Sequence, residues 1–322
     1  MIEIDRQNIM QWSRLGSRRT YGEIMDRIAP DHDDMFAIAA DLATSANLTQ
    51  YAADHPDKFL DIGIAEQNMT GVAAGMAKEG FNVFITSFAP FASMRAFEAV
   101  RTLAGYMKLN VKVVALASGV AMEAHGNTHF GLEDLALMRT IPGMLVLNPA
   151  DCTEVVKCVQ ALADYKGPAY LRLTGVPGAG TVYKEDYDFQ IGKSIVVREG
   201  EDVAVIATGT MVSESVRAAR ALGKEGISLE IINAHTIKPF DFEMLDRVSS
   251  RYKMIVTCEE HNVIGGLGSV VAEYLSAREQ HPKLVRIGIN DIFPKAGDFS
   301  YVIDKCGLSA QKIVERIKEA YI

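Results

Sequence analysis

One carboxylate of this sequence, Glu66, lies among small and apolar residues, where a charge is costly. The apolar positions of residues 60–64 predict the end of a buried strand. Residues 71–77 are rich in Gly and Ala, which gives the following helix a smooth face that another element or chain can approach closely. Burial disfavours the charged form of a carboxyl group, so Glu66 is a candidate acid that donates a hydrogen bond near neutral pH. The alternative is that Glu66 only caps the helix, because acids are favoured in a first turn.

Two histidines, His125 and His129, follow an apolar strand predicted over residues 111–117. Histidines four residues apart can share a metal ion when a helix makes them converge. These two lie in a loop that contains Gly126, and no third ligand is evident. The sequence therefore predicts no metal site here.

Three further candidates follow predicted strands. Residues 35–40 predict a short buried strand that ends in Asp41, and open α/β sheets bind ligands at the carboxyl ends of their strands. Phe88 and Phe91 begin the crossover after the strand at residues 81–86, and their i, i+3 spacing puts them on one side. A phenylalanine pair with this spacing ordinarily belongs to the core, because aromatic side chains bury a large area.

The elements that must position these residues alternate between strands and helices, which predicts mostly parallel sheets and an α/β fold. A chain of 322 residues is long for one domain and comfortable for two. We predict a first domain over residues 1–180, a Gly- and Pro-containing linker over 181–200 and a second domain over 201–322.

Composition excludes several classes of protein. The formal net charge is -8 and no run of Lys or Arg stands out, which argues against nucleic acid as a partner. The sequence shows no apolar signal region and no apolar span of membrane length, so we expect a cytoplasmic protein without a membrane partner. The four cysteines are too far apart for a C-x-x-C pair and are predicted to be reduced core thiols.

Several motifs together resemble one family. The run Ile-Ala-Glu-Gln-Asn-Met at residues 64–69, with the Gly/Ala helix after it, resembles the signature of the pyrimidine-binding domain in thiamine diphosphate enzymes of the transketolase family. Residues 40–49 are similar to a transketolase loop with one residue added, and residues 236–241 and 259–268 resemble the family's C-terminal domain. The resemblance implies two α/β domains, each a mostly parallel sheet flanked by helices: a pyrimidine-binding fold and then a transketolase C-terminal domain.

The resemblance implies roles in cofactor binding for four residues. The glutamate that matches Glu66 hydrogen-bonds a ring nitrogen of the aminopyrimidine and drives it to the imino form, which takes the proton from the thiazolium carbon. Glu66 would thus be both catalytic and cofactor-binding. Phe91 would stack on the aminopyrimidine with Phe88 behind it, and Asp41 would line the cofactor pocket.

Substrate-binding roles are implied for four residues as well. His129 keeps the place of a family histidine that contacts the substrate oxygens, and would be a catalytic residue. His125 stands where the family has an Asp that reads the ketose hydroxyls. Arg18 falls where transketolases carry a phosphate-gripping arginine, although a solvated helix face explains it equally well. Ser45 would line the substrate channel, with a simple turn as the alternative.

Besides the Asp replaced by His125, a second family contact with the substrate is altered. A second phosphate-gripping arginine of the family is replaced here by Thr174, and Arg172 is a nearby candidate to compensate for it. The resemblance therefore implies a sugar or sugar phosphate, but not which one.

The resemblance also implies a partner. The family pattern Gly-Asp-Gly followed by Asn, which binds Mg²⁺ and the diphosphate, is missing, so a separate N-terminal pyrophosphate-domain subunit would supply those ligands. We predict the C-terminal subunit of a split transketolase, which moves a two-carbon ketol unit from a ketose to an aldose within an α2β2 assembly built on a dimer core. The alternatives are the β subunit of a 2-oxoacid dehydrogenase, a fragment of a deoxyxylulose-phosphate synthase, or a non-catalytic regulatory partner.

Overall fold

The computed structural model describes residues 2–321. This part of the chain contains twelve strands: β1 (Met35–Ala39), β2 (Phe59–Asp61), β3 (Asn82–Phe88), β4 (Val111–Ser118), β5 (Leu145–Leu147), β6 (Ala169–Thr174), β7 (Ile195–Arg198), β8 (Val203–Ala207), β9 (Leu229–Asn233), β10 (Thr236–Lys238), β11 (Met254–Asn262) and β12 (Lys283–Ile289).

Helices connect most of these strands. Over the same residues the α-helices are α1 (Arg6–Leu15), α2 (Ser17–Ile28), α3 (Thr49–Asp54), α4 (Glu66–Lys78), α5 (Phe97–Ala99), α6 (Asp134–Thr140), α7 (Cys152–Asp164), α8 (Met211–Gly223), α9 (Phe242–Arg251), α10 (Leu267–Ser276), α11 (Phe299–Lys305) and α12 (Ala310–Tyr321). Two π-helical segments, Phe91–Arg95 and Val100–Tyr106, flank α5. Short 3-10 segments lie at Ala29–Asp31, Pro56–Lys58 and Glu123–Thr128.

The strands form two mostly parallel sheets, which confirms the predicted α/β class. The first sheet has the order β10-β5-β6-β4-β3-β1-β2, and all its neighbours run parallel except β10 against β5. The second has the order β12-β11-β8-β9-β7, and only β7 runs antiparallel to its neighbour. Helices pack against both sheets, for example α4 against β3 and α8 against β9.

Two short strands depart from a simple division into halves. β7 lies inside the range predicted as a linker, yet it pairs with β9 and belongs to the second sheet. β10 follows β9 along the chain but pairs with β5, so the second half of the chain contributes an edge strand to the first sheet. The predicted domain bounds remain a prediction, but the two sheets are interlocked by this strand.

The junction between the sheets contains a buried polar network. Arg172 of β6 donates from Nε to Asp134 Oδ2 at 2.7 Å, and from Nη2 to the carbonyl oxygens of Gly131 at 2.9 Å and Glu260 at 3.0 Å. The Tyr170 hydroxyl donates to the same carboxyl oxygen of Asp134 at 2.7 Å. Because Glu260 lies on β11, this network joins the first sheet to the second.

A second buried cluster joins α7 to β9. Glu154 accepts hydrogen bonds from Asn233 Nδ2 at 2.9 Å, from the Tyr187 hydroxyl at 2.9 Å and from the Ala150 amide at 2.7 Å. Asp151 caps the helix by accepting from the Glu154 amide at 3.0 Å, as the Asp-x-x-Glu spacing predicts. The start of α7 is thereby tied to the second half of the chain.

Two further predictions from composition concern membrane-spanning segments and the state of the cysteines. Among residues 2–321, no helix is long and apolar enough to cross a membrane. The cytoplasmic location stays a prediction. Cys158, Cys258 and Cys306 are buried and Cys152 is half-buried, and all four are free thiols. Burial raises the pKa of each thiol, to about 12 for Cys258.

Candidate active site

The candidate site lies at the carboxyl edge of the first sheet, where loops from several parallel strands meet. Asp61 ends β2, and its Oδ1 accepts the amides of Gly63 and Asp41, each at 3.0 Å. Asp41 follows β1, so these two hydrogen bonds tie the ends of β1 and β2 together. Gly63 has a φ of 72°, a left-handed conformation that favours glycine, and it turns the chain into α4. Helix α4 then begins at Glu66.

Glu66 is a buried carboxylate with side-chain partners. Only 2% of its surface is exposed. Arg95 Nη1 donates to Glu66 Oε2 at 3.0 Å and to Oε1 at 3.2 Å, and the Ser87 hydroxyl donates to Oε1 at 3.4 Å. The hydrogen bonds that the carboxylate accepts from residues 2–321 come from these side chains and not from amides of the first turn. A simple helix cap therefore does not describe the geometry of Glu66.

The residues after β3 bring an aromatic face beside this carboxylate. Phe91 begins the π-helical segment Phe91–Arg95, in which the amide of Ala96 bonds the Phe91 carbonyl at 3.2 Å. π-Helical turns are frequent at functional sites. The guanidinium carbon of Arg95 lies 4.3 Å from the centroid of the Phe91 ring, and Phe88 meets Phe91 edge-on at 6.3 Å.

The loop after β4 adds both histidines to the aromatic face. The His129 ring lies 5.3 Å from Phe91 and 6.0 Å from Phe88, and the His125 ring lies 5.1 Å from His129. His129 Nδ1 shares a hydrogen bond with the Thr128 hydroxyl at 2.9 Å, and His125 Nδ1 donates to the Met122 carbonyl at 3.1 Å.

Both histidines keep one ring nitrogen for a ligand. Burial, reinforced by the neighbouring His125, lowers the pKa of His129, so the neutral imidazole is favoured at neutral pH. With Nδ1 engaged in each ring, Nε2 is the atom of His125 and of His129 that can face a ligand.

Arg95 links Glu66 to Phe91, and Phe91 lies against Phe88 and against His129, whose ring lies beside His125. We call Glu66, Phe88, Phe91, His125 and His129 the edge cluster. Of the remaining predicted residues, Asp41 and Ser45 lie on the loop after β1, and Arg18 lies on α2.

Asp41 and Ser45 belong to the loop after β1. Asp41 has a φ of 57° and an exposed side chain, and Ser45 is half-buried. This loop packs on α2, because Asn47 Nδ2 donates to the Arg19 carbonyl at 3.1 Å and a Cβ added at Gly22 would lie 2.2 Å from the Ala46 oxygen.

Arg18 lies at the start of α2 and is half-buried. Burial and the adjacent Arg19 lower its pKa, and Glu123 acts in the opposite direction. Glu123 belongs to the loop that carries both histidines, so the charge of this loop acts on the pKa of Arg18.

Arg172 is not available to a substrate. Its side chain is 0% exposed, and its guanidinium is engaged in the junction network with Asp134. The idea that Arg172 compensates for Thr174 is therefore wrong, because an arginine without exposed surface cannot reach an anion in solution. Thr174 itself is buried, and its carbonyl accepts the Ser17 hydroxyl at 2.8 Å.

Arg95 was not among the candidates that the sequence indicated. Its position four residues after Phe91 was a usable signal, because residues at i and i+4 of a helix share one side. Ser87, which donates to Glu66, was also missed, although it directly precedes Phe88 in the same motif.

Within residues 2–321, the structure shows no group of three or more His, Cys, Asp or Glu side chains arranged to hold a metal ion.

Comparison with known families assigns the class of protein. Residues 14–175 match the pyrimidine-binding domain of transketolase, and residues 192–313 match the transketolase C-terminal domain. The chain therefore belongs to the transketolase family.

Several relatives of the chain are described as sections or subunits of a transketolase. The chain is 40% identical to a putative transketolase C-terminal section of Methanocaldococcus jannaschii, over 94% of this chain and 96% of the relative. It is 39% identical to the 6-deoxy-6-sulfo-D-fructose transketolase subunit SqwH of a Clostridium species, over 94% and 93%. A solved structure described as a split gene transketolase, inactive β4 tetramer, aligns with a TM-score of 0.85 and 37% identity, over 95% of this chain and 97% of that one.

Proposed function

We propose that this chain is the C-terminal subunit of a two-subunit transketolase, which uses thiamine diphosphate to transfer a two-carbon ketol unit from a ketose to an aldose. The observation that carries the proposal is the edge cluster: in a chain of this family, a buried carboxylate, an aromatic face and two histidines meet at the carboxyl ends of parallel strands. Ligands bind at such edges in open α/β sheets.

The chemistry of the edge cluster fits an aminopyrimidine. Glu66 accepts N–H groups from a planar cation, Arg95, that lies over the face of Phe91. An aminopyrimidine is also planar and can present an N–H to a carboxylate while it stacks on an aromatic ring. Thiamine diphosphate, when bound, supplies the nucleophilic carbon that carries the ketol unit.

Each residue of the edge cluster has a distinct proposed task. Glu66 holds a proton between its carboxyl group and a ring nitrogen, shielded from water by its burial. Phe91 orients the ring by stacking, and Phe88 supports Phe91 from its edge. His129 accepts or donates a proton at Nε2 on the substrate side, where its neutral form suits exchange near neutral pH.

A separate pyrophosphate-domain subunit is proposed to supply the ligands for Mg²⁺ and the diphosphate. The absence of a metal-binding group in the described residues supports this division of labour. So does the description of one structural neighbour as an inactive β4 tetramer, because a chain that needs an unlike partner would be inactive alone. We propose an α2β2 assembly in which this chain forms the dimer core.

The proposed substrate is a ketose or aldose whose terminal group differs from the usual phosphate, or is held by the partner. Thr174 offers no cation, and Arg172 is sealed in the junction network. One relative is named for a sulfo sugar and two others for apulose-4-phosphate, so the names of the relatives are compatible with either terminal anion. Arg18 and Ser45 remain to hold that end of the substrate, and His125 and His129 face the sugar hydroxyls.

Reconstitution tests the proposed function. The chain and the pyrophosphate-domain subunit of the same organism are purified separately and mixed with thiamine diphosphate and Mg²⁺. Ketol transfer between ketose and aldose pairs is expected only when both subunits and the cofactor are present. Turnover by this chain alone would overturn the split arrangement, and release of CO₂ from pyruvate by the mixture would favour the 2-oxoacid alternatives.

Kinetics on matched sugars tests the proposed substrate. Phosphorylated, sulfonated and neutral pairs are compared with the wild type and with His125→Asp, which restores the family residue. Micromolar KM values for common pentose phosphates, together with an unchanged donor preference in His125→Asp, would contradict an altered substrate.

A further inference from the structure

Arg95 makes both of the contacts that the proposed function assigns to the aminopyrimidine. Its Nη1 donates to the two carboxyl oxygens of Glu66 at 3.0 and 3.2 Å. Its guanidinium lies over the Phe91 ring at 4.3 Å. A guanidinium and an aminopyrimidine are both planar groups that donate N–H while they stack, so one stands in for the other chemically.

The two groups cannot use these contacts together. One face of Phe91 accommodates one planar group, and Arg95 already bridges the oxygens of Glu66. A ligand that stacks on the face of Phe91 covered by Arg95, and that takes the place of its N–H groups on Glu66, must therefore first move the guanidinium. Any free energy of the Glu66–Arg95 pair is then subtracted from the binding free energy of that ligand.

The side chain of Arg95 is free to move although its backbone is held. The Arg95 side chain is 48% exposed, in contrast to 2% for Glu66. Its carbonyl accepts Gln67 Nε2 at 3.1 Å, which ties the π-helical turn to α4. Rotation of the side chain into solvent therefore needs no change of the backbone.

We propose that Arg95 is a displaceable counter-ion of Glu66, which must rotate away from Phe91 before the aminopyrimidine of the cofactor binds. The proposal rests on the proposed function, because it takes thiamine diphosphate as the ligand. In the chain without cofactor, Arg95 satisfies the buried carboxylate. In the loaded complex, Glu66 would instead share a proton with the ring nitrogen, and Arg95 would lie in solvent or against the partner.

Cofactor binding to the reconstituted complex tests the competition. Thiamine diphosphate with Mg²⁺ is titrated by calorimetry, and its association rate is followed by stopped flow, for the wild type, Arg95→Ala and Arg95→Lys. Arg95→Ala should tighten Kd by about 3- to 10-fold and raise the association rate, which is the range for loss of a partly exposed ion pair. Arg95→Lys, which keeps the charge but not the planar fork, should lie between the two.

Two variants serve as controls for this experiment. Arg101→Ala removes an exposed arginine of the next π-helical turn and should leave Kd within about twofold of the wild type. In a Glu66→Gln background, Arg95→Ala should change Kd by less than about twofold, because the charge that holds Arg95 is gone.

A second measurement, thermal unfolding, starts with the isolated chain and is then repeated with the loaded complex. Thermal unfolding of the isolated chain is compared for Glu66→Gln, Arg95→Ala and the double variant. The shifts should be non-additive, because the two residues interact directly. In the cofactor-loaded complex the same cycle should become additive, since Arg95 no longer contacts Glu66.

The outcomes separate this inference from the proposed function. A wild-type complex that neither binds thiamine diphosphate nor transfers ketol units overturns the proposed function. A wild-type complex that does both, with a Kd unchanged in Arg95→Ala, overturns only the competition. Weaker binding by Arg95→Ala also overturns it, because Arg95 would then hold the cofactor rather than exclude it.

Discussion

The edge cluster and the sheet junction each bury a carboxylate beside an arginine, but the two arginines differ in exposure. At the edge, Glu66 is sealed while Arg95 keeps 48% of its side chain in solvent. At the junction, Asp134 and Arg172 are both 0% exposed. Burial opposes ionisation of Asp134, but Arg172 outweighs it and the pKa of Asp134 is lowered. Of these two buried carboxylates, only Glu66 has an arginine partner that is exposed enough to leave, and only Glu66 lies in the candidate site.

The two arginines also differ in the number of groups that they contact. Arg172 is fixed by the carboxylate of Asp134 and by the carbonyl oxygens of Gly131 and of Glu260 on β11, so its removal breaks contacts between both halves of the chain. Arg95 contacts one carboxylate and one aromatic ring. A group with few and local partners can be exchanged for a ligand without unfolding its surroundings.

The substitution of Glu66 in the edge cluster should change activity strongly and stability little. Glu66→Ala should reduce turnover of the reconstituted complex by about 10²- to 10⁴-fold, the range for a lost acid or base, while unfolding and assembly change little. Steady-state kinetics at saturating cofactor and denaturant unfolding measure the two properties. Glu98→Ala, which removes an exposed acid near the edge cluster, is the matched control. Activity of Glu66→Ala within about threefold of the wild type would remove Glu66 from the mechanism.

The opposite pattern is expected at the junction. Arg172→Met leaves Asp134 buried without its cation and should lower the free energy of unfolding by about 3–5 kcal/mol, as measured by urea titration. Arg95→Met should cost no more than about 1 kcal/mol, because a half-exposed ion pair contributes little. Equal losses in the two variants would show that exposure does not distinguish these pairs.

A smaller effect is expected from pH at the second junction cluster. Burial raises the pKa of Glu154 from 4.5 to about 7, so the folded chain binds a proton there that the unfolded chain has released. This contribution to stability is complete below pH about 4.5 and is lost as pH rises through about 7. As the pH rises between those limits, the free energy of unfolding of the wild type should fall, relative to that of Glu154→Gln, by on the order of 2–3 kcal/mol.

Urea titrations at about pH 5 and pH 7.5 measure that difference. Glu98→Gln, which removes a surface carboxyl, controls for the overall change in charge. A gap between the wild type and Glu154→Gln that stays constant with pH would mean that Glu154 does not exchange its proton on unfolding.

Features that depend on residues close together in the sequence could be predicted. The alternation of strands and helices predicted two mostly parallel sheets, and the structure has both. The motif around Glu66 and the loop around His129 indicated the family that the comparisons confirm.

Contacts between distant residues could not be predicted in this way. Arg95 lies 29 residues after Glu66, and nothing in its spacing says that a neighbouring acid is buried. The sequence left Arg172 as a candidate substrate contact. Periodicity shows on which face of a strand a residue lies, but it does not show which other elements cover that face. The three residues of β10 carry too little pattern to reveal which sheet they join.

The position of β10 also matters for how relatives of this chain can be recombined. Because Thr236–Lys238 pairs with β5, a chain cut within residues 181–200 would leave an open sheet edge, a common route to aggregation. A chimaera that exchanges everything after the predicted linker would likewise replace one strand of the first sheet. The unit that must be inherited together is set by strand pairing, and not by the order of the domains along the chain.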